Sequence, residues 1–229
     1  MAARARFITL EGGEGAGKST QAKRLAAALE ARGIAVCATR EPGGSRGAEE
    51  IRRLLVDGEP GRWDALSETL LLFAARADHL ARTIRPALAA DRWVVCDRFT
   101  DSTFAYQGAG RGLDGATISA IEAAATGSFR PDLTLILDIA PEAGLARVDS
   151  RGRHETRFEQ FDAGFHARLR EWFRALTQRE PGRCVLLDAR ASADELAAQI
   201  WQIVSTRFGF PPPRAGEVRP KAGEGDGSS

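Results

Sequence analysis

Lysine is almost missing from this chain. Only Lys18, Lys23 and Lys221 occur among the 32 lysines and arginines of its 229 residues, so a lysine standing where chemistry demands one carries information. Long apolar runs are missing too. No stretch approaches the roughly 18 residues of a membrane-spanning helix, and Met1-Ala2-Ala3-Arg4 lacks the apolar segment of an export leader, so neither a membrane partner nor secretion is expected. Cysteine is scarce. Cys37, Cys96 and Cys184 each sit in a different apolar run, which reads as buried reduced thiols and suits a cytoplasmic protein rather than a disulfide scaffold. Neither sign of charge prevails, at net +1, so nothing points to a nucleic acid or an anionic surface as partner. No internal repeat is present. From Pro211 onward proline, glycine, serine and charge replace the apolar residues, and such a segment cannot bury enough surface to order itself. The expected organisation is one domain over residues 1–210 and a flexible tail over 211–229.

Within the domain, five short apolar runs read as buried strands: Phe7–Leu10, Ile34–Thr39, Trp93–Cys96, Leu133–Leu137 and Cys184–Leu187. Helical spacing separates them, over Thr20–Arg32, Ala65–Ala90, Asp114–Ala125, Pro141–Asp149, Phe158–Arg179 and Ala193–Phe208. Strands alternating with helices predict an α/β fold, a five-stranded parallel sheet covered on both faces, with ligands at the carboxyl ends of the strands.

One of those ends carries Gly12-Gly13-Glu14-Gly15-Ala16-Gly17-Lys18-Ser19, which fits G-x-x-x-x-G-K-[ST] between a strand and a helix. In such a loop backbone N–H groups turn inward around phosphate oxygens, and the helix N-terminus adds a positive dipole end. The lysine reaches the outer phosphates, and the serine hydroxyl can ligate Mg²⁺. A nucleotide site over residues 12–20, Thr20 included, is expected, with Ser19 as the metal ligand. The guanine-reading sequence Asn-Lys-x-Asp is absent, which disfavours a GTP-dependent switch. Successive strand ends add Glu11, then Arg40-Glu41-Pro42-Gly43-Gly44-Ser45, then Asp97-Arg98-Phe99. A carboxylate there can hold metal-bound water, and an arginine can clamp an acceptor phosphate.

These segments resemble the bacterial thymidylate kinases. The resemblance rests on Leu10-Glu11-Gly12, the phosphate loop, Thr39 to Ser45, and Leu72-Phe73-Ala74-Ala75-Arg76-Ala77-Asp78-His79. Asp97-Arg98-Phe99 with Ser102, Ala105-Tyr106-Gln107-Gly108 and Gly110-Arg111-Gly112 complete it, over about residues 4–208. It implies a P-loop NTPase fold of the nucleoside-monophosphate-kinase type, a homodimer, and ATP- and Mg²⁺-dependent phosphorylation of thymidine monophosphate to the diphosphate. It implies that Lys18 and Ser19 serve ATP and Mg²⁺, and that Glu11 lies near the metal and the acceptor's sugar and phosphate. Arg98, helped by Arg40, would bind the acceptor phosphate. Phe73 would stack on thymine, Arg76 would bond its carbonyl edge, and Thr103, Tyr106 and Gln107 would line the deoxyribose and base pocket. Phe73 and Arg76 are three apart on a helix and share a face. A lid around residues 147–158, with Arg147, Arg151, Arg153 and Arg157, would supply the positive charge that the phosphate loop lacks, Arg151 and Arg153 acting on the transferred group. The family's aspartate before Arg157-Phe158-Glu159 is Thr156 here. Another nucleoside-monophosphate kinase or a deoxynucleoside kinase is the alternative, and Arg98 argues against an acceptor that has no phosphate. Retention of Glu11, Lys18, Ser19, Asp97 and Arg98 argues against a non-catalytic subunit.

Overall fold

The computed structural model describes residues 4–58, 61–127, 129–150, 158 and 161–210. The expected lid residues Arg151, Arg153 and Arg157 and the tail from Pro211 lie outside this set. Five parallel strands, β1 (Phe7–Gly12), β2 (Val36–Arg40), β3 (Trp93–Asp97), β4 (Leu133–Asp138) and β5 (Cys184–Asp188), lie in the order β2-β3-β1-β4-β5. Leu10 is in register with Asp97 on one side and Leu135 on the other, and Arg40 with Asp97. Glu11, Arg40 and Asp97 therefore reach the carboxyl edge together.

Alternation along the strands builds two cores. Ile8, Leu10, Val95, Leu133 and Leu135 face α1 (Lys18–Glu30) and α9 (Ala193–Phe208), against Leu25, Leu29, Leu196 and Ile200. On the other face Phe7, Val94 and Cys96 pack on Leu80 and Ile84, and Ile136 and Cys184 pack on Phe165, Leu169 and Phe173 of α8 (Ala163–Arg179). Both faces are covered, which is why the strands read as continuous apolar runs. The three cysteines form no disulfide. No helix among the described residues is long and apolar enough to cross a membrane.

Four stretches depart from the sequence reading. Helix 65–90 is interrupted: α3 (Ala65–His79) passes into a π-helical turn, Leu80–Ile84, before α4 (Arg85–Ala89). The Arg85 N–H reaches five residues back to the Leu80 carbonyl, and Pro86 has no N–H to continue an α-pattern there. Helix α8 begins at Ala163 and not at 158, because Asp162 caps it by accepting from the Phe165 N–H at 2.7 Å. Two helical segments had no counterpart in the sequence reading. They are α2 (Arg46–Val56), and α5 (Thr100–Thr103) running into a π-helical stretch, Phe104–Gly110. The remaining helices, α6 (Gly115–Thr126) and α7 (Pro141–Asp149), lie where they were expected.

Candidate active site

The phosphate loop leaves β1 and enters α1 through glycines in left-handed conformations. At Gly15 (φ +66°) a Cβ would strike the Gly144 carbonyl oxygen of α7 at 1.9 Å, and a Cβ on Gly144 would meet the Glu14 carbonyl at 2.3 Å. Loop and helix thus touch backbone to backbone, and both positions exclude any side chain. Lys18 is buried and donates to the Gly13 carbonyl at 2.6 Å. Burial, with Arg98 beside it, pushes its ammonium down to about 8 against the opposing pull of Glu14 and Asp97. The Ser19 hydroxyl donates to the Asp97 carboxylate, whose Oδ1 is buried with no hydrogen-bond partner among the described residues.

Arg98 holds a left-handed backbone, φ +70°, uncommon for a residue with a side chain. Its fixings explain how this persists. Its N–H donates to the Leu10 carbonyl at 3.0 Å, and its guanidinium donates to Gly12 O at 3.1 Å, Ser102 Oγ at 3.2 Å and Glu14 Oε1 at 2.9 Å. The guanidinium also lies over the Tyr106 ring, at 4.8 Å from its centroid. Tyr106 donates its hydroxyl to Glu14 at 2.6 Å. Burial alone would raise the Glu14 carboxyl, but Arg98, Lys18 and the Tyr106 hydroxyl outweigh it and hold the group at about 2. Glu11 is fully buried, with Oε1 accepting from the Phe99 N–H at 2.7 Å and Oε2 from the Ser102 hydroxyl. Burial and the neighbouring Asp101 raise it to about 8.

A second arginine, this one buried, faces the same space. Arg76 Nε donates to Glu41 Oε2 at 2.6 Å, Nη1 to Thr103 Oγ1 at 3.1 Å and Nη2 to the Phe99 carbonyl at 3.2 Å. The guanidinium is sandwiched between Phe73 and Phe99, at 4.7 and 5.3 Å from the ring centroids. Glu41 also meets His79 Nδ1 at 3.0 Å, and His79 Nε2 meets Thr39 Oγ1 at 2.7 Å.

A cavity of about 480 Å³ runs across these groups, from Lys18, Ser19 and Thr20 past Arg98 to Arg76. One end is a cradle of loop amides, the other a wall of neutral and cationic donors, and positive side chains line the path between. Amides at a helix N-terminus and arginine side chains are groups that suit phosphate. The thymidylate kinase family model matches residues 10–200. A thymidylate kinase of Rhizorhabdus wittichii is 53% identical over 196 residues, covering 85% of this chain and 94% of the relative. That of Caulobacter vibrioides is 52% identical over 204 residues, covering 89% and 98%. A crystal structure of thymidylate kinase from Ehrlichia chaffeensis matches with a TM-score of 0.70 at 32% identity, over 87% of this chain and 98% of that one. The chain belongs to the thymidylate kinase family.

Against the residues that the thymidylate kinase resemblance singled out, the cavity brings together Glu14, Gly15, Gly17, Lys18, Ser19, Thr20, Arg40, Arg76, Arg98, Thr103, Tyr106 and Gln107. Gly12, Gly13 and Ala16 belong to the loop but do not line it. Neither does Glu11, which lies behind the Phe99–Ser102 turn, nor Phe73, which is 1% exposed and backs the Arg76 guanidinium while its neighbour Leu72 forms the wall. The cavity also holds groups to which the sequence reading gave no role: Glu41, Arg52, Ser102 and Phe158. Of these, Glu41, Ser102 and Phe158 lay inside stretches already singled out. A carboxylate at a strand end and a hydroxyl four residues after Arg98 were the available signals.

Proposed function

We propose that this member of the thymidylate kinase family carries out its reaction, phosphorylation of thymidine monophosphate by ATP, in the 480 Å³ cavity by direct in-line transfer. The observation that carries the assignment is the confluence of a lysine-bearing phosphate loop, the part-buried Arg98 and the buried Arg76 on one cavity. The loop amides and Lys18 hold the ATP phosphates. Arg98 and Arg40 clamp the acceptor phosphate. Tyr106 borders the sugar, and Arg76, Thr103 and Gln107 read the base. Phe73 acts from behind, as the support of Arg76. Glu11 acts through the Phe99 N–H and the Ser102 hydroxyl that it binds, keeping the turn that carries Arg98 in place. The attacking oxygen belongs to a phosphate already largely ionised at neutral pH, so no general base is required and catalysis is positioning plus charge stabilisation. Arg151 and Arg153 add charge to the transferred group from the lid.

Mg²⁺ fits the donor set, since the Ser19 hydroxyl and the unpartnered Asp97 Oδ1 are hard oxygen ligands beside the loop. When bound with ATP it neutralises phosphate charge. The active form is a homodimer, supported by the half-exposed Leu54, Leu66 and Leu70, and it works in the cytoplasm, in keeping with three free thiols, two of them buried. The deciding assay is ATP consumption with thymidine monophosphate, other monophosphates and free nucleosides, in wild type and Lys18→Ala. Thymidine monophosphate should be the preferred acceptor, and the variant should lose about 10²–10³-fold or more in kcat. A folded Lys18→Ala enzyme with near-normal turnover would refute the site.

A further inference from the structure

On the base-reading wall one amide has no freedom in which way it points. Gln107 is 1% exposed, lies in the π-helical stretch and lines the cavity. Its Nε2 donates to Glu68 Oε1 at 2.7 Å. Glu68 is fully buried on α3, on the same helix face as Leu72 and Arg76, which follow at four-residue steps. Arg111 Nη1 stands 2.9 Å from that same Glu68 oxygen, a charge contact and not an aligned hydrogen bond, and Arg111 Nη2 is anchored on the Trp63 carbonyl at 2.6 Å.

As the anionic member of an ion pair, Glu68 can only accept. The NH₂ end of the Gln107 amide must therefore face it, and the carbonyl Oε1 must face elsewhere. That oxygen is buried and has no hydrogen-bond partner among the described residues. A buried acceptor left without a donor is costly, and a ligand N–H would remove the cost. Arg76, on the same cavity, is a donor only. Its Nη1 and Nη2 each spend one N–H on Thr103 and Phe99, which leaves one on each for a ligand carbonyl.

We infer that Glu68, held by Arg111, is a specificity-determining positioning residue: it locks Gln107 as an acceptor beside the donor Arg76. This rests on the reading of the cavity as the thymidine monophosphate site. The wall then matches a pyrimidine edge with a ring N–H next to a carbonyl, as in thymine. It opposes cytosine, which presents a bare ring nitrogen next to an amino group. There acceptor would face acceptor at Gln107 and donor would face donor at Arg76.

The test compares kcat/KM for thymidine and deoxycytidine monophosphates in the full chain as wild type, Glu68→Gln and Gln107→Ala, with a melting curve for each. An amide at position 68 both donates and accepts, so Gln107 is free to turn its NH₂ toward cytosine. The thymidine-to-deoxycytidine ratio should fall at least about tenfold in Glu68→Gln. A Glu68 that was merely structural would lower both values alike, and an unchanged ratio overturns its role. Gln107→Ala covers the case in which the buried substitution at 68 does not fold. It should lose about tenfold or more on thymidine monophosphate and little on the cytosine substrate. An equal loss on both overturns the acceptor assignment. No loss on either removes the base from this wall and fails the site reading itself, whereas a selective loss with an unchanged ratio in folded Glu68→Gln fails Glu68 alone.

Discussion

Burial drives two side chains under the active site toward the same pH from opposite directions, and their consequences can be separated. Lys18 is pushed down to about 8 chiefly by burial, and it must be charged to hold phosphate. In the free enzyme kcat/KM for ATP should therefore fall as pH rises through about 8, the proton leaving Lys18. Glu11 also sits near 8, raised by burial and Asp101 from 4.5. Its folded form keeps a proton that the unfolded chain has lost, so its contribution to stability is full below about 4.5 and is lost as pH rises to about 8. Glutamine matches the neutral charge of the protonated acid and can still accept from the Phe99 N–H, while the Ser102 hydroxyl turns to accept from the amide in place of donating. Glu11→Gln should keep the alkaline limb of the ATP profile, and it should gain stability relative to wild type between about pH 5 and about pH 8. Denaturation midpoints at the two ends of that range check the second point. A limb that vanishes in Glu11→Gln would transfer the titration from Lys18 to Glu11.

Helix α7 is the element whose packing bears most directly on the chemistry, since Gly144 presses its backbone against the phosphate loop at Gly15. A methyl at 144 has no space and cannot be relieved by a side-chain rotation, because its obstacle is the Glu14 carbonyl. Gly144→Ala should shift the loop, at a cost of about 1–3 kcal/mol of stability, and should raise KM for ATP well beyond that for thymidine monophosphate. Equal effects on both substrates, read by steady-state kinetics, would count against this. Glycines 15 and 144 were each visible in the sequence, but their contact was not, since it joins residues 129 positions apart. The same limit runs through the fold. The central strands β1, β3 and β4 were legible because burial on both faces makes them largely apolar, and the edge strands β2 and β5 because a short apolar run survives on their covered side. Helix α2 was overlooked although Ala48, Ile51 and Leu55 line one face at three- and four-residue steps, because it is short, rich in charge and follows a glycine turn; Ser45, which accepts from the Ala48 N–H, marked its start. The stretch from Thr100 to Gly110 carries polar and glycine residues because it lines a cavity, and so it lacks a helical period. Of the residues that motif spacing singled out, Lys18, Arg76 and Arg98 line one cavity. Spacing could not tell that Phe73 supports a guanidinium instead of forming the wall, because both roles need an aromatic on the same helix face.

At the scale of the molecule, aromatic packing ties the last described residues to the body. Phe208 and Phe210 lie 5.1 and 5.4 Å from the Trp93 ring, and Phe210 stacks on Trp201 at 6.1 Å. Truncation after Phe210 should leave melting temperature and turnover unchanged, whereas removing Phe210 as well should lower the melting temperature by a few degrees, about 1 kcal/mol in a chain of this size. The outer surface carries the other boundary. Leu66 and Leu70, one turn apart on α3, are 43% and 50% exposed, and Leu54 on the adjoining α2 is 41% exposed. The inner sides of the same two helices give Arg52, Val56, Leu72 and Arg76 to the cavity. A second copy docked on this face would brace both helices, and a two-fold axis would set each leucine against the same patch of the partner. A half-exposed leucine has about 1 kcal/mol of burial left to gain, so Leu66 and Leu70 from two copies contribute about 4 kcal/mol, close to a thousandfold in Kd. The double substitution Leu66→Glu and Leu70→Glu should therefore convert a dimer to monomer at micromolar concentration, as read by sedimentation, and should weaken thymidine monophosphate binding through the loosened α3. A wild type that sediments as a monomer would exclude the homodimer, and a substituted chain that stays dimeric would move the interface to another face.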